Sequence, residues 1–374
     1  MATPAERQPV KPADLELPPT RPIPRPCDRV VWYENGRPKK GRLLGTTLAG
    51  EALIEKDENG FRIDQLFASI RHVEQGEHET HGPMWMSLTG DAVICRPTEV
   101  EIEKLDQLIG NKIQPGEEHA THAQLAREIW FRGFEVFFTG KPLREALTKT
   151  PGKDADLITT MPRSWVRILL DGMYGTNRVK EETPQPWSGT FTIGNTVGSV
   201  NAFSYVRFFR WAFEDNAYLH GASFKDEGSF TDFTCNAIYY DSQNKVLIDP
   251  TGYGLDDAYN CRLRPMAWSG QLPEQDKKAI GFEVLRYFLL GYTLSADRQA
   301  ELLTAVSEAV QVEEDDLCGP LANAFDGLGL PQNDVLNRIG EFFSLHGLAG
   351  LFQNNVQPAI VKIYERKPAA GGSL

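Results

Sequence analysis

Two aspartates one residue apart, Asp154 and Asp156, stand in "GKDADLITTMPRSW" between a glycine loop and a β-branched run. On a strand, alternation turns positions two apart to the same face, so both carboxylates would reach one point. Such oxygens are hard ligands for Mg2+ or Mn2+. A divalent ion held there would bridge nucleotide phosphates, neutralise developing charge and activate an attacking hydroxyl. Acidic turns are also common solvated surface features, so the pair gains meaning only from its surroundings. A triphosphate needs a glycine turn opening a helix, whose backbone N–H groups face the phosphates. The stretch "GFEVFFTGKPLREALTKTPGKDADLITT" supplies, in order, a strand, a glycine at 140, a helix and the acidic strand.

The elements that must position these groups follow from periodicity. Leu125, Ile129 and Trp130 in "HAQLAREIWFRGF" have helical spacing, closed by Gly133. "EVFFTG" reads as a strand ending at a glycine, and "KPLREAL" as the helix that restarts after it. A helix is expected near Arg163 to Gly172, and strands near 189–194 and 199–208; "AIYYDSQNKVLIDP" has the form of a hairpin. Beyond Pro273 every period is helical: Ile280, Val284, Tyr287 and Phe288; Leu302, Val306 and Val310; Val335, Ile339, Phe342 and Phe343. Mixed α and β followed by helices is an α+β pattern.

The order of these motifs resembles the class II poly(A) polymerase and CCA-adding tRNA nucleotidyltransferase family. Gly140 stands at the first glycine of the family's Gly-Gly turn, Arg144 and Glu145 at its Arg-Asp pair, and Asp154 and Asp156 at its metal-binding aspartates. Asp232, Phe233, Thr234, Asn236 and Ala237 match its Asp-Phe-Thr-x-Asn-Ala nucleotide-pocket run, ahead of a hairpin, an Asp-Pro turn and a glycine loop. "GFEVLRYFLLGYTL" is similar to the neck helix, with Arg286 at its last arginine, and the likeness spans roughly residues 121–360. It implies a polymerase beta-like head with a mixed sheet at residues 121–265 and an all-helical neck and body at 266–365, with a tail at 366–374. It further implies template-independent addition of nucleotides to an RNA 3' end, tRNA or other, with Mg2+ or Mn2+ on Asp154 and Asp156. The nucleoside triphosphate would lie against Gly140, Lys141, Arg144, Asp232, Thr234, Asn236 and Arg286.

Several positions depart from the family pattern. Lys141 replaces the second glycine; Phe230 and Thr231 stand where two arginines precede the Asp-Phe-Thr run; Ile280 and Glu283 occupy two arginine positions of the neck. "IGNTVGSVNAFSYVRFF", residues 193–209, holds no third carboxylate, leaving Glu214 or Asp215 as the nearest substitutes. These departures support a second expectation, a catalytically inactive relative serving as an RNA-binding or structural subunit.

Ahead of the head, residues 1–26 carry eight prolines and few large apolar groups, so an extended, disordered arm is expected. Residues 27–75 alternate in short runs broken by Asn35-Gly36 and Asn59-Gly60, the strongest local hairpin signal. They read as an SH3-like or Tudor-like barrel that docks RNA or protein partners or acts as a spacer. In the linker at 76–120, His78 and His81 form one H-x-x-H unit, and His119 and His122 another at its end. They have ligand spacing for a metal, but polar linker histidines are common.

Net charge of −12 argues against a surface coated for nucleic acid, while leaving room for a local basic groove. The five cysteines are scattered, without C-x-x-C spacing, and fit a reducing compartment; Cys235 is expected to pack as a small buried residue. No run approaches the about 18 to 20 apolar residues of a membrane helix. An intracellular location, cytoplasmic or organellar, is therefore expected.

Overall fold

The computed structural model describes residues 29–34, 37–46, 52–56, 62–65, 71–72, 88, 91–110, 121–131, 135–149, 151, 155–159, 161, 163–174, 179–181, 190–193, 204–208, 232–266 and 274–366. The chain divides into two compact units, one comprising Met1–Gly228 and Asn236–Gly252, the other Ser229–Cys235 and Tyr253–Leu374.

In the first unit five strands, β1 (Arg29–Glu34), β2 (Arg37–Thr46), β3 (Ala52–Lys56), β4 (Arg62–Gln65) and β5 (Arg71–His72), form an antiparallel sheet in the order β4-β3-β2-β1-β5. The register explains the hairpin signals. Glu34 pairs with Arg37, so only Asn35-Gly36 connects β1 to β2, and Glu55 pairs with Arg62 across the connection that contains Asn59-Gly60.

A second sheet in this unit has eight strands. They are β6 (Val93–Cys95), β7 (Val136–Thr139), β8 (Ala155–Thr159), β9 (Val179–Glu181), β10 (Thr190–Ile193), β11 (Ser204–Phe208), β12 (Tyr239–Asp241) and β13 (Val246–Asp249), ordered β6-β13-β12-β7-β8-β11-β10-β9. It is mixed: β8 and β11 run parallel and the other neighbours antiparallel. Its centre is buried, which is why β7 reads as an unbroken apolar run rather than an alternating one. Among the described residues the helices of this unit are α1 (Glu99–Gly110), α2 (His122–Phe131), α3 (Gly140–Thr148) and α4 (Arg163–Tyr174), and α3 buries Leu143, Ala146 and Leu147. Two capping boxes start the first pair. Thr98 N–H donates to Glu101 Oε2 at 2.7 Å and Glu101 N–H to Thr98 Oγ1; Thr121 N–H donates to Gln124 Oε1 at 3.0 Å and Gln124 N–H to Thr121 Oγ1. The second box gives "THAQ" a structural reading, with His122 fully buried as the first residue of α2. His78, His81 and His119 lie outside the described residues.

The Asp-Pro turn after β13 is built on the carboxylate of Asp249. Oδ1 accepts from Thr251 N–H at 3.0 Å, the Thr251 hydroxyl at 2.7 Å and Gly252 N–H at 3.0 Å. Gly252 has φ +72° and passes so near Asp91 that a Cβ would lie 2.3 Å from its carbonyl oxygen.

The second unit includes α5 (Gly254–Tyr259), α6 (Glu274–Leu289), α7 (Gln299–Val310), α8 (Glu314–Phe325), α9 (Gln332–Leu345), α10 (Ala349–Leu351), a π-helical turn (Phe352–Val356) and α11 (Gln357–Glu365). The apolar faces expected of these helices form its core: Ile280, Val284, Tyr287, Leu302, Val306, Val310, Val335, Ile339, Phe342 and Phe343 are buried, while Phe288 is half-buried. One feature departs from a purely helical reading. Gly291, at φ +92°, turns the chain out of α6, and β15 (Thr293–Leu294) then pairs in parallel with β14 (Arg262–Leu263).

Gly281 marks the close approach of α6 and α7. A Cβ there would meet the Ala305 carbonyl oxygen at 2.4 Å and Ala309 Cβ at 2.6 Å. Alanine would gain about 1 kcal/mol of helix propensity. Overpacking costs about 1–3 kcal/mol and sits at the upper end where backbone is the obstacle. Gly281→Ala is therefore expected to destabilise by about 2 kcal/mol, measured by urea unfolding, whereas a stabilised variant would show that the helices part freely.

Among the described residues no helix is long and apolar enough to cross a membrane. Among the described residues Cys95, Cys235, Cys261 and Cys318 form no disulfide, and Cys235 is fully buried.

Candidate active site

The turn from β7 into α3 carries the first half of the site. Thr139 ends the strand in extended conformation, and Gly140 follows at φ +72°, a left-handed geometry that glycine adopts without a Cβ clash. The antiparallel register of β7 and β8 sets Thr139 opposite Asp156. A Cβ on Gly140 would fall 2.6 Å from Asp156 Oδ2, so the half-buried carboxylate occupies the space that the missing side chain leaves. On its other side the Thr139 hydroxyl donates to the Ile238 carbonyl at 2.9 Å, tying the turn to the strand entry of β12.

Asp154 precedes β8 and lies outside the described residues, as do Phe230, Thr231, Glu214 and Asp215. Strand β11 runs parallel beside β8 with Tyr205 paired to Asp156, and its five residues, SYVRF, include no carboxylate. Among the described residues no group of three or more His, Cys, Asp or Glu is gathered for a metal ion. The donor chemistry still suits a hard divalent cation: Asp156 is a carboxylate in a recess cleared by a glycine, with a second aspartate two residues before it.

Lys141 points outward, half exposed, with its ammonium 3.9 Å from Glu145, an i,i+4 surface pair worth little to stability. Arg144, three residues on, is only 2% exposed. Its Nη1 donates to the Asn236 side-chain oxygen, and Asn236 is itself buried. This contact joins α3 to the Asp-Phe-Thr-x-Asn run across 92 residues of sequence. Within the first unit, then, the glycine turn, Asp156, Arg144 and Asn236 are held by one set of strands and one helix.

Asp232, Thr234 and Arg286 belong to the second unit. Asp232 is half-buried, and its carbonyl accepts from Met266 N–H at 3.4 Å; Phe233 bridges to Pro265 and meets the Tyr287 ring edge-on at 5.3 Å. Thr234 is buried, its N–H donating to the Arg264 carbonyl at 3.0 Å and its hydroxyl to Asp257 Oδ2 at 2.7 Å. Arg286 lies half-buried near the end of α6.

Asp257 and Arg264 had no place in the sequence reading. Asp257 is fully buried and also accepts from Arg264 Nε at 2.9 Å, with Arg262 Nε 3.7 Å from its other oxygen. Arg264 pairs in addition with Asp297. Burial alone would lower the pKa of the Arg264 guanidinium, but its bonds to Asp257 and Asp297 outweigh that and raise it. The signal was present in "GLDDAYNCRLRP": two adjacent acids followed by two arginines spaced by two, hence on one face of a strand.

Over 188 residues the chain is 26% identical to the CCA-adding enzyme of Streptococcus gordonii (strain Challis), a match covering 49% of this chain and 43% of that enzyme. The chain thus aligns with less than half the length of that curated relative. No family model matches. Similar solved structures include a tRNA nucleotidyltransferase complexed with a primer tRNA and an incoming ATP analog, at 18% identity over 61% of this chain and 62% of that one, TM-score 0.45. The Thermotoga maritima CCA-adding enzyme complexed with tRNA is similar at 14% identity over 67% and 54%, TM-score 0.45. An apo CCA-adding enzyme is similar at 14% identity over 70% and 56%, TM-score 0.46.

Proposed function

We propose, from its kinship with the class II CCA-adding and poly(A) polymerase family, that the chain is a template-independent RNA nucleotidyltransferase acting on an RNA 3' end. The observation that carries the reading is the seat of Asp156 in the recess of Gly140, at the mouth of a strand, glycine turn and helix. Asp154 and Asp156 would hold Mg2+ or Mn2+, which when bound supplies charge neutralisation at the phosphates and a more acidic attacking hydroxyl. The reaction joins the RNA 3'-oxygen to the α-phosphorus of a nucleoside triphosphate, breaks the bond to the β-phosphate and releases pyrophosphate; the hydroxyl proton passes to solvent. In this reading Gly140 and Lys141 flank the triphosphate, and Arg144 with Asn236 fixes the floor beneath it. Asp232 and Thr234 contribute the second motif and Arg286 the neck. Residues 121–265 serve as head and 266–365 as neck and body, and an SH3-like barrel at 27–75 docks RNA or a protein partner, in an intracellular setting.

A second reading, an inactive relative that binds RNA or supports an assembly, is favoured by one feature: β11, the parallel neighbour of β8, has no carboxylate to offer beside Asp156. One experiment separates the two. The purified chain is incubated with an RNA bearing a free 3'-hydroxyl, Mg2+ or Mn2+, and each nucleoside triphosphate in turn. Growth of the RNA by one or more nucleotides is the expected result. Calorimetric binding of ATP or CTP without any extension would select the inactive reading.

A further inference from the structure

We propose that Tyr253 is a stacking platform for a base of single-stranded RNA, braced from behind by Arg264; the inference rests on the RNA nucleotidyltransferase reading above. Tyr253 is one of three large hydrophobic residues exposed among the described residues, at 49% accessibility. It lies against a cation: Arg264 Cζ sits 4.2 Å from the ring centroid. That guanidinium cannot swing. Its Nε is held at 2.9 Å by the fully buried Asp257, and its Nη1 by Asp297. The Tyr253 backbone is fixed as well, because its carbonyl accepts from Asp257 N–H at 2.8 Å. An exposed ring with an immobile cation behind it loses little freedom when a flat partner lands on it, and the cation draws charge from the ring, favouring an electron-rich base.

The surrounding charges select the partner. Arg262 pairs with Asp256 at 2.8 Å, and Arg264 with Asp257 and Asp297, so three carboxylates surround two guanidiniums. A free nucleotide would bring its triphosphate into a slightly acidic neighbourhood. A nucleotide within a strand carries a single phosphodiester charge in place of the triphosphate, so its base can stack here with less repulsion. Bases of unpaired RNA stack on aromatic side chains in this way, irrespective of sequence.

The test is fluorescence anisotropy of a short labelled single-stranded RNA titrated with the full-length chain in the absence of nucleotide. Tyr253→Ala is expected to weaken binding by about tenfold to a hundredfold, the range for one stacked base, with a melting temperature lowered by no more than a few degrees for the lost contact with Arg264. Tyr253→Phe and Tyr253→Trp should retain affinity, and the tryptophan variant should show RNA-induced quenching beyond that of the seven native tryptophans. Affinity of Tyr253→Ala within twofold of the parent, or absence of the extra quenching, overturns the proposal, as does failure of the parent to bind RNA. A parallel titration with ATP and CTP should be unaffected; weakening there with RNA binding intact would assign the ring to the nucleotide instead and reject the RNA platform. Loss of 3'-end extension with this RNA binding preserved would count against the nucleotidyltransferase reading alone.

Discussion

Asp156→Asn is expected to lower nucleotide incorporation about a thousandfold with little change in stability. A carboxamide has the shape of a carboxylate but no charge, so the recess beside Gly140 stays filled while the ligand for a divalent ion is lost. Metal-borne charge stabilisation is worth several kcal/mol, and each 1.4 kcal/mol is a factor of about ten in rate, which sets the thousandfold scale. Stability should hold because Asp156 is half-buried and lies at the start of β8 rather than inside its apolar stretch, where Leu157 and Ile158 are buried. The rate is read by following labelled nucleotide into the RNA 3' end, and stability by thermal unfolding of the same preparation. Incorporation within tenfold of the parent would remove Asp156 from the chemistry. The double variant Asp154→Ala with Asp156→Ala should show no extension at all.

Local features of this chain were open to reading because each follows from a short-range rule. "EVFFTG" gave up a strand and a glycine turn since a buried central strand needs apolar residues on both faces and the turn into α3 needs positive φ. The β12–β13 hairpin was legible in the same way: Asp241 Oδ1 accepts from the backbone N–H groups of Gln243 at 2.9 Å and Asn244 at 3.1 Å, a local turn chemistry of Asp and Asn. What escaped was contact at long range. Thr234 reads as part of a nucleotide motif, yet its hydroxyl is given to Asp257, 23 residues away. The β14–β15 pair could not be anticipated, because two residues on each side are too short a run to show a period, and residues 264–292 separate them. The Arg144–Asn236 contact was reachable only through family resemblance, because no periodicity links residues so far apart.

Asp257→Ala should destabilise the second unit by about 3 kcal/mol. Removing one partner of a buried ion pair costs about 3–5 kcal/mol because the other partner is left without its counter-charge. The lower end applies here, since the Arg264 side chain is 12% exposed and keeps Asp297, which is largely exposed. The Thr234 hydroxyl, buried with its residue at 3% exposure, would lose its 2.7 Å acceptor as well. Asp257→Asn retains an acceptor and should lose about half as much. A cycle with Thr234→Val tests the assignment: alone, that substitution should cost about 1 kcal/mol, the usual worth of such a bond, but in the Asp257→Ala background almost nothing, because the bond it removes is already gone. Urea unfolding of all four proteins gives the numbers. Strict additivity would show that Thr234 and Asp257 act independently, in which case the turn that carries Asp232 is held by Phe233, through its backbone bridge to Pro265 and its ring against Tyr287, rather than by the buried carboxylate.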